Sequence, residues 1–198
     1  MKTKAMLLSL SYVLTIMFSV SLLTTTIMPH TLLAQTTTTN LLSYQNSIYG
    51  IKIQYPSNWE KQENGTKQDT QTDVVTFHVA TAFPVVNSNA NFDITIDDIS
   101  DQKRTLTQYA NQSVADLKQS LTDFKLIESN TSSVVIAGLP AYKIVYTSAD
   151  GSNILKTMEI GVMKGDKVYI LTYEAGMPVY IKYSPTIQKM IDSFQITK

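Results

Sequence analysis

Val168-Tyr169-Ile170-Leu171-Thr172-Tyr173 is apolar or aromatic on both of its alternating sets of positions. A strand with one wet face alternates apolar and polar residues; a strand that does not must be covered above and below. The stretch therefore predicts a central strand, and its neighbours follow from the turns around it. Lys164-Gly165-Asp166 turns the chain just before it. Leu155–Met163 reads as the preceding strand, with Met158, Ile160 and Val162 aligned. Asp150-Gly151 is a hairpin signal. It leads back to Ala141–Thr147, where Tyr142, Ile144 and Tyr146 share a face, and to a strand around Phe124–Glu128.

Two helices flank this meander. Thr105 and Gln108 form a capping box, in which hydroxyl and amide satisfy each other's backbone groups. Leu106, Tyr109, Ala110, Val114, Leu117 and Leu121 then make one apolar stripe at helical spacing. At the C-terminus, Ser184 reads as an N-cap and Pro185 as the first helical residue, with Ile187, Met190, Ile191 and Phe194 on one face. Together these predict an α+β fold, a central antiparallel β-sheet sandwiched by helices on both faces.

Towards the N-terminus, Ile51, Ile53 and Tyr55 alternate with polar residues, as in a half-buried strand. Pro56, Ser57 and Asn58 bend the chain, and Trp59, the sole tryptophan, is placed to act as a core anchor. Glu60–Asp73 is polar and reads as a long loop. Val74–Ala82 and Phe92–Ile99 read as strands, with an irregular stretch at Pro84–Ala90 between them. Long loops on a rigid sheet are where recognition residues sit, so the two loops are the expected contact surface.

The 198 residues suffice for one domain with a sizeable core. Net charge is zero, with both signs scattered, which gives no footprint for nucleic acid. There is no cysteine, so disulfides, thiolate metal sites and a cysteine nucleophile are excluded. Lys2 and Lys4 precede an uncharged run from Ala5 to Leu23, followed by Pro29 and a small residue at Ala34. This layout predicts residues 1–34 as a signal peptide or an uncleaved N-terminal membrane anchor. Either places the rest of the chain outside the cytoplasmic membrane, secreted or anchored to its outer face. Residues 35–46 read as a Thr-rich linker and 47–198 as the folded domain. Sequons at Asn64, Asn111 and Asn130 are candidate glycosylation sites.

No reaction is spelled out. There is no Gly-x-Ser-x-Gly elbow, zinc-ligand spacing or phosphate loop. Of two histidines, His30 lies in the leader, and His78 reads as a strand surface residue. Asp93, Asp97 and Asp101 are the candidate ligands for calcium or manganese: oxygen donors on a strand and the loop after it suit a hard cation. The tyrosines of the C-terminal half read as core residues with hydroxyls at the rim.

Tyr49-Gly50-Ile51-Lys52-Ile53-Gln54-Tyr55-Pro56 with Trp59 resembles the opening of the PsbP family. Ala137-Gly138-Leu139-Pro140-Ala141-Tyr142, the aromatic strand Lys167–Tyr173 and the closing Asp192-Ser193-Phe194 resemble that family's later motifs, in the same order. The resemblance implies a sheet between helices, a place outside the membrane and a non-enzymatic accessory role. It further implies docking on a partner protein or membrane complex, with calcium or manganese handling in some members. The leader, sequons and threonine run look more like a prokaryotic cell-surface relative than a photosynthetic one. The expected unit is a monomer; its alternative role is an extracytoplasmic binding protein for a metal ion or small ligand.

Overall fold

β9 (Lys167–Gly176) lies between β5 (Asn91–Asp98) and β8 (Asn153–Lys164) in the computed structural model, whose described residues are 40–79 and 90–197. The leader, most of the threonine run and 80–89 fall outside them. With β3 (Trp59–Gln68), β4 (Gln71–Val79), β6 (Lys125–Ile136) and β7 (Leu139–Asp150), these strands form a seven-stranded sheet. Its order is β3-β4-β5-β9-β8-β7-β6, antiparallel throughout. The meander read from the sequence is therefore present, with the doubly apolar strand in the interior. A second, three-stranded sheet joins β1 (Leu41–Asn46), β2 (Ile51–Pro56) and β10 (Gln195–Ile196). Leu41–Asn46, assigned to the linker from its neighbours, is thus a strand, held by its pairing with β2.

The buried residues fall into two clusters that draw alternately on the strands. Tyr169, Leu171 and Tyr173 of β9 belong to one, with Ile160 and Val162 of β8, Phe92, Ile94 and Ile96 of β5, and Ile51 and Ile53 of β2. This cluster includes Ile187, Met190 and Ile191 of α2 (Met177–Ser193). Val168 and Ile170 of β9 belong to the other, with Tyr142, Ile144 and Tyr146 of β7 and Tyr109 and Ala110 of α1 (Leu106–Ser120).

Two local expectations are corrected. Glu60–Asp73 is a hairpin, the bulk of β3 and the start of β4, turning at Asp69 and Thr70. Only Trp59 of β3 is buried, so the strand has no apolar face to reveal it; the backbone ladder to β4 holds it. Charged side chains on such an edge also deter pairing with another chain. The second helix begins at Met177 rather than at Ser184, with Pro178 in its first turn and Pro185 inside it. The carbonyl that Pro185 leaves unserved belongs to Ile181, whose side chain is exposed, while the Ser184 hydroxyl donates to the Tyr180 carbonyl at 2.6 Å. Among the described residues, no helix is long and apolar enough to cross a membrane.

Trp59 is 5% exposed and meets Tyr183 of α2 edge-on at 5.6 Å between ring centroids. The bend at Ser57-Asn58 brings the indole under α2, where it joins the larger cluster beside Tyr55 and Phe77. Trp59→Ala should cost about 3–5 kcal/mol, the range for removing a large buried aromatic side chain. Chemical denaturation checks this; an unmoved midpoint would contradict the packing.

Candidate functional site beneath the first helix

The capping box that starts α1 is formed: the Thr105 hydroxyl accepts from the Gln108 amide, and the Gln108 side chain accepts from the Thr105 amide. This fixes where the helix begins, and so which side chains reach the sheet. Tyr109 donates its hydroxyl to Asp97 Oδ2 of β5 at 2.7 Å. One turn on, Ser113 donates to Glu159 Oε1 of β8 at 2.9 Å. Tyr142 of β7 donates to the same oxygen at 2.6 Å. The Tyr109 and Tyr142 rings lie 6.0 Å apart. Two carboxylates of the sheet are thereby tied to α1 and its floor.

Gly161 makes room for this. It stands opposite Tyr142 in the β7–β8 register, and a Cβ there would collide with the Tyr142 ring. Its bare backbone lets the phenol lie across β8 and reach Glu159 two residues earlier.

Both acids are drawn out of water: Asp97 is 8% exposed and Glu159 9%. Asp97 Oδ1 has no hydrogen-bond partner among the described residues. Burial raises the Glu159 carboxyl above the usual carboxylate value, and its two hydroxyl donors offset this only in part. Burial, and then the neighbouring acids, hold the Tyr109 and Tyr142 hydroxyls protonated far above the usual 10.0. Beside these groups opens a cleft of about 300 Å³, lined by Gln71, Asp97, Arg104, Tyr109, Gln112, Ser113, Asp116 and Glu159 among others.

The candidate cation ligands are not brought together. Asp93 and Asp97 share a face of β5 but stand four residues apart, about 13 Å along a strand. Asp93 accepts from Thr76 at 2.6 Å in a separate groove with Asn64, Asp73, Thr95 and Thr172. Asp101 is exposed in the turn after β5. Among the described residues, no group of three or more histidine, aspartate or glutamate side chains gathers as a metal site. His78 pairs with Glu60 across the β3–β4 hairpin at 3.1 Å. Of the sequon asparagines, Asn64 donates to Thr76 at 3.0 Å, Asn111 is exposed on α1, and Asn130 donates to Ser133 at 2.7 Å.

Glu159 was not among the sequence candidates. Its signal was a lone acid in the apolar run Met158–Met163, two residues before a glycine. Its partner Ser113 interrupts the apolar face of α1 at the corresponding place.

A family model described as PsbP-like protein matches residues 29–196, and the chain belongs to that family. No curated protein sequence matches it. Among solved structures, the cyanobacterial PsbP of Synechocystis, CyanoP, is similar at a TM-score of 0.56 and 17% identity, covering 80% of this chain and 93% of its own. LpqN, involved in cell envelope biogenesis of Mycobacterium tuberculosis, is similar at a TM-score of 0.59 and 12% identity, covering 80% and 91%. A protein of unknown function from Pseudomonas aeruginosa, PA94, is similar at 0.54 and 16%, covering 78% and 95%. At such identities these likenesses define the fold.

Glu159 also sets a pH dependence. With a folded pKa above the usual 4.5, the folded chain keeps this proton over a range in which the unfolded chain has lost it. Its contribution to stability therefore falls as pH rises through that window. Glu159→Gln, which cannot titrate, should gain on the wild type from pH 4.5 towards neutrality in urea unfolding. A difference between the two that stays flat with pH would contradict a buried acid there.

Proposed function

We propose that this PsbP-like chain is a non-enzymatic accessory module that works outside the cytoplasmic membrane, secreted or anchored to its outer face. In this reading it docks on a partner protein or membrane complex and recognises its ligand or partner through the cleft beneath α1. The observation that carries this is the state of the two acids. Each is held by hydroxyl donors of the fold itself, in a cleft wide enough for a side chain or small molecule. Groups fixed in this way suit recognition, since their geometry is set before anything binds. His78, the histidine of the described residues, pairs with Glu60 on the hairpin and does not line that cleft. The α/β/α layering that the family resemblance implies is supported by the alternation along β9, whose neighbouring residues join the α2 cluster and the α1 cluster in turn.

A second reading, a weak calcium or manganese site, is favoured by one groove. Asp73 and Asp93 both line it with three threonines and Asn64. The Asp93 carboxyl is raised above its usual value, first by burial, and the negative charges of Glu174 and Asp73 add to this. A hard cation would relieve that repulsion.

Cross-linking in native envelopes, followed by purification of the chain, tests the first reading. A discrete membrane-protein partner, lost in an Arg104→Glu variant, is the expected result. Hydrolysis of an ester, peptide or glycoside panel that vanishes in Glu159→Gln or His78→Ala would overturn it. Saturable calcium or manganese binding lost in Asp93→Asn would move the assignment to the second.

A further inference from the structure

The cleft beneath α1 lies on one side of the large sheet, and the other side has a different character. Along the sequence the two signs of charge are scattered, but strand alternation sorts them. In β7, β8 and β9, paired without a bulge, Lys143, Lys156, Lys164 and Lys167 fall on the face of the α2 cluster. Asp150, Glu159 and Glu174 fall on the face of the α1 cluster. These three strands thus carry all their lysines on one side and all their acids on the other. The lysine side is the one on which α2 and the small sheet pack. β1, the strand that continues from the leader and the threonine run, belongs to that small sheet.

One end of this side also exposes large apolar side chains. Ile154 is 55% exposed, Met177 41% and Ile181 66%. Ile154 shares its face of β8 with Lys156. The chain leaves β9 at Gly176, which pairs with Leu155, so Met177 starts α2 next to that end of β8. Ile181 follows Met177 by one turn on the same flank of the helix. The Lys156 ammonium lies 4.7 Å from the centroid of the Tyr180 ring, which ties the lysine of β8 to the helix beside Ile181. Lys182 and Lys189, both exposed, stand two turns apart on the outer side of α2, and the helix has no acid before Asp192. Single exposed apolar residues are ordinary on a protein surface; three at one end of a face, set among lysines, mark a contact surface.

We propose that this face rests on the surface of an anionic phospholipid membrane, with Ile154, Met177 and Ile181 entering the headgroup region and Lys156, Lys182 and Lys189 meeting phosphates. A soluble polyanion would answer the lysines and leave the apolar side chains in water. An uncharged apolar partner would strand the lysines. A lipid surface answers both, because lysine stems lie along apolar surface while their ammonium groups reach the phosphates. The leader favours lipid over a soluble partner, since the chain that follows it enters the domain through β1 in this same layer. Tyr180, Ile187, Met190 and Ile191 stay buried in the core, so what is offered is the outer flank of a packed helix. The cleft beneath α1, on the opposite side of the sheet, is left open to a partner. The proposal rests on the reading of the chain as working outside the cytoplasmic membrane, and adds which face it turns to the lipid.

The chain has no cysteine, so one introduced cysteine carries one environment-sensitive fluorophore. Ile181→Cys on the outer flank of α2 and Asn111→Cys on the exposed side of α1 are each labelled in the full-length chain. The readout is local, which separates contact by this face from attachment through the leader. Each is mixed with vesicles of phosphatidylcholine alone, or of phosphatidylcholine with phosphatidylglycerol. The expected result is a brighter, blue-shifted emission at 181 with the anionic vesicles only, reversed by high salt, and no change at 111. Lys156→Gln combined with Lys182→Gln, first shown to melt as the parent does, should raise the lipid concentration needed for that response by about tenfold or more. No response at 181, an equal response at 111, or a response at 181 indifferent to vesicle charge overturns the proposal. So does a label at 181 that ignores both vesicles while the same face cross-links to a protein in native envelopes; the surface would then belong to a protein partner. Partner capture lost in Arg104→Glu, the test of the cleft, is read separately and stands or falls independently of these results.

Discussion

A strand that is apolar on both sides cannot stand at the wet surface of a sheet, and β9 imposes that constraint on everything around it. It takes β5 on one side and β8 on the other, so its backbone is paired on both sides from Lys167 to Glu174. Its alternate side chains need two separate apolar coverings, and the chain supplies them with different elements: α2 and the small β1-β2-β10 sheet for one cluster, α1 for the other. The path from the end of β5 to the far edge strand β6 is where α1 is spent. That placement lays the helix chiefly against β7, β6 and β8, with Tyr109 reaching across to Asp97 of β5.

The two coverings differ in kind. The cluster that includes α2 is almost wholly apolar and aromatic, closed at one end by Trp59 against Tyr183. The covering by α1 is smaller and encloses Asp97 and Glu159. Apolar residues of similar volume at these positions would often be as stable or more so. The fold instead surrounds the acids with Tyr109, Ser113 and Tyr142, and leaves a glycine at 161 so that one of those hydroxyls can arrive. Local rules broken in a cluster, with the compensation built from three different elements, mark the part of a fold where something other than stability is served.

The sequence made β9, the hairpin meander and α1 legible, because each carries its evidence locally: a non-alternating apolar run, turn residues, a capping box with a stripe. It could not reveal β3, whose polar residues are held by backbone pairing with β4 and bury nothing beyond Trp59. Nor could it place the start of α2, since Ser184 and Pro185 have the chemistry of a helix start, while the turns before them are secured by packing of Tyr180 under Tyr173. For the acids, period two correctly put Asp93 and Asp97 on one face. What separates them is where a helix from later in the chain comes to lie, so that one is bonded to Tyr109 beneath that helix and the other lines a separate groove. Glu159 was hidden for the same reason: its partners Ser113 and Tyr142 are distant in sequence, and a single acid in a strand carries no periodic signal.

Amide hydrogen exchange, residue by residue, measures most directly whether β9 organises the molecule. The amides of β9 and of its partners β5 and β8 should exchange only through global unfolding, while those of the exposed edge strand β3 exchange much faster through local opening. Exchange of β9 amides at the rates found for β3 would contradict the account.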